Sequence, residues 1–141
     1  PARDALQLIG RRHVRSNNSW MHNSQRLVKG KDRCTLMIHP RDASRLGLQV
    51  ADSAEITSES RQIVLPVEIT EDIMPGVVSI PHGWGHDRDG TGQSVAAAHA
   101  GASINDVLSD GEIDPLSGTS VLNGQSVTVK VWRPERQRKR A

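Results

Sequence analysis

The sequence contains no phenylalanine and no tyrosine, and only three tryptophans in 141 residues. Proteins that bind RNA or single-stranded nucleic acid stack the bases on aromatic side chains, so this composition disfavours that class. A folded core must instead be built almost entirely from aliphatic side chains. The length is that of a single domain.

Cysteine is also scarce, since Cys34 is the only one. A disulfide framework, a zinc site built from several cysteines and an iron–sulfur cluster held within this chain are therefore excluded. Cys34 alternates with the apolar Leu36 and Ile38, a pattern typical of a small buried hydrophobic residue rather than a nucleophile.

Long apolar runs are missing as well. No segment approaches the roughly 20 apolar residues that span a bilayer, and no signal peptide opens the sequence. We therefore expect a soluble, cytoplasmic protein without a membrane segment.

The net charge of only +2 conceals an uneven distribution. Residues 1–33 carry a net charge of +6, residues 34–132 carry −8, and residues 133–141 carry +4. The acidic middle of the chain argues against a nucleic-acid partner. We expect residues 1–133 to form the domain and residues 134–141 to be a disordered basic tail.

Alternating apolar residues predict several short strands. The clearest runs from Ile63 to Ile69, where every second residue is aliphatic. The other expected strands lie at Leu6–Leu8, Arg33–His39, Ala54–Ser58, Val77–Ile80, Ile104–Leu108 and Val127–Val131. The side chains expected to point inward are those of Leu36, Ile38, Ile56, Ile63, Leu65, Val67, Ile69, Val127, Val129 and Val131.

Helix and turn signals are few. Pro40–Gly47 has proline at a first helical position and glycine at a C-terminal cap, which predicts one or two helical turns. A small helix is expected at Ser94–Ala100, and Asn123-Gly124 predicts a hairpin turn. About six short strands without an internal repeat indicate a closed β-barrel, a mainly β fold in which no sheet edge is left exposed.

The segment His82-Gly83-Trp84-Gly85-His86 is the most unusual in the chain. A pair of histidines four residues apart on a helix would indicate zinc, but the two glycines argue against a helix. Two other interpretations stay open, namely a loop whose backbone approaches a ligand closely, and a structural turn in which Trp84 closes the end of the barrel.

The basic opening segment interleaves arginines with histidine, serine and asparagine between Arg11 and Asn23. Such a mixture of cations and neutral hydrogen-bonding groups suits a small anionic ligand. No nucleophile elbow and no dinucleotide fingerprint of the strand–turn–helix type is present. The residues alone thus predict a binding module for a small phosphorylated ligand.

Five segments in a fixed order resemble a known family. They are Leu8–Asn23, Met37–Pro40 with Asp42-Ala43, Leu46–Leu48, Met74–Val78 continuing into Pro81–His86, and Ala102–Asn105 with Asp114–Gly118. Together they resemble the C-terminal dinucleotide-binding domain of molybdopterin oxidoreductases, the dimethyl sulfoxide reductase family that includes formate dehydrogenases and nitrate reductases.

The resemblance implies a six-stranded double-psi β-barrel with two or three short helices, which helps to hold molybdopterin guanine dinucleotide. Its molybdenum or tungsten would be ligated outside this chain, and any iron–sulfur cluster would lie in an N-terminal part that is missing here. The chain would then be a C-terminal domain of a larger oxidoreductase, inactive alone, with the remaining domains as its partners. Formate is the most natural substrate for that enzyme, and nitrate the next.

The resemblance also implies which residues bind the cofactor, with none catalytic and none ligating a metal. They are Gly10, Arg11, Arg12, His13, Ser16, Asn17, Asn18, Ser19, Trp20, His22, Asn23, His82, Gly83, Trp84, His86 and Asn105. We expect the segments that carry them to meet at one end of the barrel, in a single polar cleft. The alternatives are a free-standing barrel that binds nucleic acid or an acidic protein through its basic ends, and a small hydrolase or metal-dependent enzyme.

Overall fold

The computed structural model describes residues 4–59 and 61–134. Its six strands are β1 (Ala5–Arg11), β2 (Leu36–Ile38), β3 (Ser53–Ser58), β4 (Arg61–Ile69), β5 (Val77–Pro81) and β6 (Gln125–Val131). The helices are α1 (Gln25–Val28), α2 (Pro40–Leu46) and α3 (Ser94–Ala98), and a single 3-10 turn covers Ile104–Asp106.

The strands close into a barrel in the order β1-β5-β2-β4-β3-β6. β1 is parallel to β5 and β2 is parallel to β4, while the other neighbours are antiparallel. Replacing each strand by the one three later in the chain leaves every neighbour relation unchanged, so the two halves of the barrel are related by a pseudo-twofold axis. This is the expected double-psi β-barrel, and the predicted fold is confirmed.

The core is aliphatic, as the composition requires. Of the side chains expected to point inward, eight are buried and two, Ile69 and Val131, are half-buried against the same core. Leu6, Leu8 and Ala54 on β1 and β3 complete the barrel interior. The predicted alternation of β4 is seen directly, because Ile63, Leu65 and Val67 are buried and the residues between them are exposed. Each fully buried aliphatic side chain contributes roughly 1.5–3 kcal/mol.

Helix α2 begins and ends as predicted. His39 caps it, since its Nδ1 accepts a hydrogen bond from the Arg41 amide at 3.1 Å. Gly47 ends the helix in the left-handed conformation, with φ of 70°. Helix α3 is shorter than expected and ends at Ala98.

Two predictions are wrong. Ile104–Leu108 is not a strand but a 3-10 turn, and the buried Ile104, Val107 and Leu108 have the spacing of a helical turn rather than that of a strand. Asn123-Gly124 does not form a hairpin turn, because β6 pairs only with β1 and β3 and no strand directly precedes it. The predicted basic tail lies, from residue 135 onward, outside the described residues, so its disorder stays a prediction.

The strand directions define two ends of the barrel. β1 and β5 finish side by side, and β2, β4 and β6 begin at the same end, which we call the β1/β5 end. Helix α2 follows β2 and therefore lies at the opposite end. Within the described part of the chain, no helix is both long and apolar enough to cross a membrane.

Two adjacent positions of β4 test the architecture. Leu65 is 1% exposed, and replacing it with alanine should lower the free energy of unfolding by about 2–5 kcal/mol, because a cavity remains in a closely packed barrel. Val64 is 36% exposed, and Val64→Ala should cost less than about 1 kcal/mol. Urea denaturation measures both values, and equal losses would contradict the register of β4.

Candidate functional site

At the β1/β5 end, the loop that follows β1 packs closely against the loop that follows β5. His82 follows β5, and its amide donates to the Arg11 carbonyl at 3.0 Å. The His82 ring occupies the space in which a Cβ on Gly10 would stand. Gly83, at φ of 92°, packs its α-carbon against the Asn18 carbonyl. These two glycines therefore serve the contact of the loops with each other, whereas the resemblance implied an approach to phosphate or pterin.

Arg11 lies inside this end and binds three segments together. Its guanidinium donates to the Ser79 carbonyl on β5, and to the carbonyl and hydroxyl of Thr35 at 2.8 and 2.9 Å just before β2. Burial lowers the pKa of Arg11, and the nearby Glu68 carboxylate partly offsets that effect. The Arg11 guanidinium thus joins β1, β5 and the segment before β2.

A second group consists of three rings, of which His22 and Trp84 are buried and His86 is half-buried. His22 is 1% exposed, and its ring meets the edge of Trp84 with centroids 4.1 Å apart, while the His86 ring lies 5.0 Å away. Burial lowers the pKa of His22, with smaller contributions from His86 and His99. Among the described residues, neither ring nitrogen of His22 nor Nε1 of Trp84 has a hydrogen-bond partner. Trp84 thus closes the barrel end, as the structural-turn interpretation predicted.

Other candidates hold the local backbone. Asn23 caps helix α3, since its Oδ1 accepts from the amides of Val95 and Ala96, both at 3.1 Å. Ser16 is buried, and its hydroxyl donates to the His13 carbonyl at 3.1 Å. His13 in turn accepts through Nδ1 from the Arg15 amide at 3.2 Å. These side chains shape the loop.

The remaining candidates are exposed or half-buried, and within residues 4–59 and 61–134 their side chains make no hydrogen bond. They are Arg12, Asn17, Asn18, Ser19, Trp20, His82 and Asn105. All but Asn105 lie on the two packed loops, because Trp20 is in the same turn as Asn17 and Asn18, and Arg12 is close enough to His82 to affect its titration. Asn17 and Asn18 adopt φ of 44° and 58°, a left-handed conformation that asparagine tolerates well.

Cations at this end repel one another. Burial lowers the pKa of His13, and Arg33, Arg11 and Arg15 lower it further. Burial and then Arg12 lower the pKa of His82. An anion bound here would relieve this repulsion, so the electrostatics favour an anionic ligand.

The third expected segment also reaches this end. The Gly85 amide donates to the Ala100 carbonyl at 2.7 Å, Ser103 packs against Gly85, and Arg88 forms an ion pair with Asp106. The expected convergence is therefore confirmed for the backbone of all three segments. The side chains without hydrogen bonds do not line the single polar cleft that was expected. Arg12, Asn17 and Asn18 are exposed, whereas a cleft of about 280 Å³ is formed mainly by residues 28–33 and 98–101.

Sequence reasoning missed Asn123. β6 pairs with β1 only as far as Leu8, and beyond it the Asn123 Oδ1 accepts from the Gly10 amide at 2.8 Å, while the Gly124 amide donates to the Leu8 carbonyl at 2.7 Å. The Asn123 side chain thus continues the hydrogen bonding between β1 and β6 up to the candidate site. The signal was present in Asn123-Gly124, but a partner more than 100 positions away in sequence is not visible in the pattern.

Within the described ranges, no group of three or more His, Cys, Asp or Glu side chains is placed to hold a metal ion. Cys34 is buried, and desolvation raises the pKa of its thiol to about 11, as expected of a small hydrophobic residue.

Gly83 offers a matched pair of substitutions. Gly83→Ala should destabilise the chain strongly, because the new methyl group collides with the Asn18 carbonyl and the φ of 92° is unfavourable for alanine. Gly90 has a similar φ of 83° with open space around it, so Gly90→Ala reports the cost of the backbone conformation alone. Thermal melting should show a clearly larger loss for Gly83→Ala, and equal losses would show that the loops do not pack as described.

Acidification should destabilise the protein. The pKa of His22 is lowered in the folded state, so as the pH falls from about 7.5 to about 5.5 the unfolded chain takes up a proton first, near its ordinary pKa of about 6.5. The free energy of unfolding should therefore decrease over that window, and His22→Gln should make the decrease smaller. Urea titrations at several pH values measure it, and an unchanged slope in the variant would contradict the burial of a neutral His22.

Comparison with known proteins places these features in a family. The chain is 27% identical over 136 residues to the molybdopterin-containing subunit of the arsenate respiratory reductase of Chrysiogenes arsenatis, covering 91% of this chain and 16% of that protein. It is 29% identical over 104 residues to a tetrathionate reductase subunit of Salmonella typhimurium, covering 62% of this chain and 10% of that protein. The chain thus spans less than a fifth of the length of these relatives.

The fold is also found in a solved structure. Acetylene hydratase from Pelobacter acetylenicus matches with a TM-score of 0.75 and 22% identity, over 90% of this chain and 18% of that one. The family model described as the Molydopterin dinucleotide binding domain matches residues 6–126, which contain both loops of the β1/β5 end. Cofactor binding is therefore favoured over a free-standing barrel that binds nucleic acid or an acidic protein. The chain belongs to the molybdopterin dinucleotide-binding domain family.

Proposed function

We propose that Arg12, Asn17, Asn18, Trp20 and His82 bind the guanosine and pyrophosphate part of molybdopterin guanine dinucleotide at the β1/β5 end. The observation that carries the proposal is that these side chains lie together on two packed loops and, within the described residues, make no hydrogen bond of their own. Polar side chains held on a fixed backbone without partners are available to a ligand.

The chemistry of the group fits the parts of the cofactor. Arg12 supplies charge-assisted hydrogen bonds to a phosphate, worth roughly 1.5–3 kcal/mol. His82, with its pKa lowered by burial and by Arg12, is a neutral ring that can donate one hydrogen bond and accept another. The amides of Asn17 and Asn18 match the mixed donors and acceptors of a guanine edge, and the exposed Trp20 indole offers a surface on which a base can stack.

The other predicted residues support this surface rather than touch the ligand. Gly10 and Gly83 allow the loops to meet, Arg11 and Asn23 fix their ends, and the His22–Trp84 contact fills the space beneath them. Asn105 is exposed on the third segment and would add one more side-chain amide for the cofactor. When bound, the cofactor would supply the redox chemistry of its molybdenum or tungsten, ligated outside this chain.

We also propose that the chain works as one domain of a larger oxidoreductase and is inactive alone. This is supported by its coverage of only 16% and 10% of the reductase subunits that it resembles. An iron–sulfur cluster would belong to another part of that enzyme. The names of those relatives, an arsenate and a tetrathionate reductase, favour an inorganic oxyanion that is reduced, a class that includes nitrate, over formate, which would be oxidised.

Guanosine diphosphate is a suitable probe, because it carries the base and the pyrophosphate of the cofactor. Added to this chain, it should shift the amide resonances of residues 10–23 and 82–86, with a Kd in the millimolar range. Arg12→Ala should weaken binding about tenfold or more, which corresponds to the loss of one charge-assisted hydrogen bond.

Arg41→Ala is the matched control. Arg41 is exposed on α2 at the opposite end of the barrel, so its loss changes the net charge equally but should leave binding within about twofold. Equal weakening by both substitutions would indicate non-specific attraction. Shifts confined to the α2 end would overturn the proposed site.

A further inference from the structure

We propose that residues 112–121, here called the projecting loop, form a docking element that inserts Leu116 into an apolar pocket on the rest of the larger oxidoreductase. The inference rests on the proposed function in one respect, that the chain is part of a longer protein. The projecting loop is distinct from the residues proposed to bind the cofactor.

The projecting loop has a regular backbone although every residue from 111 to 120 is exposed. Ile113 and Ser120 form an isolated antiparallel bridge. The Asp114 amide donates to the Thr119 carbonyl and the Val121 amide to the Glu112 carbonyl, both at 2.9 Å. The loop therefore has the form of a small hairpin rather than an irregular connection.

Asp114 fixes the tip of the projecting loop. Its Oδ1 accepts from the amides of Leu116 and Ser117 at 3.0 and 2.8 Å and from the Ser117 hydroxyl at 3.0 Å. These hydrogen bonds lower the pKa of Asp114, so the carboxylate stays charged and the turn stays intact over the physiological range. Leu116 is thereby presented in one backbone conformation.

The base of the projecting loop is anchored in the barrel. Gln125, the first residue of β6, is buried, and its Oε1 accepts from the Ser109 amide at 2.7 Å. Its Nε2 donates to the carbonyls of Val121 and Ser109 at 2.6 and 2.9 Å. The Gln125 side chain thus joins β6 to Ser109, just before the projecting loop, and to Val121, at its end.

This anchored turn exposes apolar side chains. Leu116 is 97% exposed, and Ile113 and Leu122 are also exposed. Within the described chain, Leu116 buries almost no apolar surface, so it does not stabilise the turn that holds it. A leucine held almost fully in solvent at the tip of an ordered turn is the kind of apolar anchor that fills a pocket on a partner surface.

The position of the projecting loop indicates what covers it. It leads directly into Asn123 and Gly124, which pair with Gly10 and Leu8 at the β1/β5 end. The rest of an enzyme that encloses the cofactor must approach this same end, and in the relatives at least four-fifths of the polypeptide lies outside the matched part. The occupant we infer is therefore that remainder of the polypeptide.

The charge of the projecting loop indicates which side chains surround the pocket that would receive Leu116. Residues 109–129 contain Asp110, Glu112 and Asp114 and no lysine or arginine. Arg61 on β4 pairs with Asp110 at 3.6 Å, and the charges of Glu112 and Asp114 leave the face around Leu116 acidic. We infer an apolar pocket with a basic rim.

Thiol labelling tests the docking without disturbing the fold. Leu116→Cys should react rapidly with a maleimide in this chain alone and at least tenfold more slowly in the full-length protein, as followed by mass spectrometry of the peptide. Val50→Cys is the matched control, since Val50 is 82% exposed at the opposite end, and it should react equally in both. Native Cys34 does not compete, because it is buried and its pKa is raised to about 11.

Each other result has a definite meaning. Equally fast labelling of Leu116→Cys in both proteins overturns the docking proposal and leaves guanosine diphosphate binding untouched. Slow labelling in the isolated chain that speeds up on dilution identifies a second copy as the occupant, and so overturns it too. If the full-length protein is no longer than this chain, both the larger enzyme and the docking proposal are wrong. If Leu116→Cys is protected but guanosine diphosphate does not bind, only the proposed cofactor surface is wrong.

Discussion

The half-buried guanidinium of Arg11 organises the end of the barrel on which the proposed function depends. Arg11 ends β1, and its hydrogen bonds reach β5 and the segment that enters β2. These are the strands from which both polar loops and the 29–35 segment emerge, so their relative positions are set by one side chain. The cost of burying the charge is offset by carbonyl oxygens and by the nearby Glu68, which Thr35 and Lys31 hold in place.

The basic opening of the sequence has two different uses. Arg15 donates to the Arg26 carbonyl, and Arg33 donates to the carbonyls of Leu27 and Lys29 at the end of α1. These cations complement unpaired carbonyl groups at a helix C-terminus. Arg12, by contrast, has no such partner among the described residues. A count of charges therefore overstates how much of the segment faces a ligand.

The barrel was predictable from sequence because its signals are local. Strict alternation in β4 and the proline and glycine that bracket α2 each specify an element within a few residues. The 3-10 turn at Ile104 was missed although its buried residues have helical spacing, because three apolar residues within five positions are too short a pattern to establish a period. The site was predictable as a set of segments but not as a set of roles, because the sequence does not tell which arginine or asparagine the fold uses for itself. Arg11 and Asn23 are bound by backbone groups far along the chain, whereas the side chains of Arg12 and Asn18 make no hydrogen bond with any residue that the structure describes.

The pseudo-twofold order of the strands gives the barrel two equivalent rims. The pseudo-twofold axis superimposes β1 and β5 on β4 and β2. It therefore also superimposes the β1/β5 end on the opposite end, where β4 and β2 finish. At that second rim, the chain leaving β2 turns at once into α2, which buries Ala43 in the core. The fold thus supplies the same platform twice, and this sequence covers one with a helix and leaves polar loops on the other.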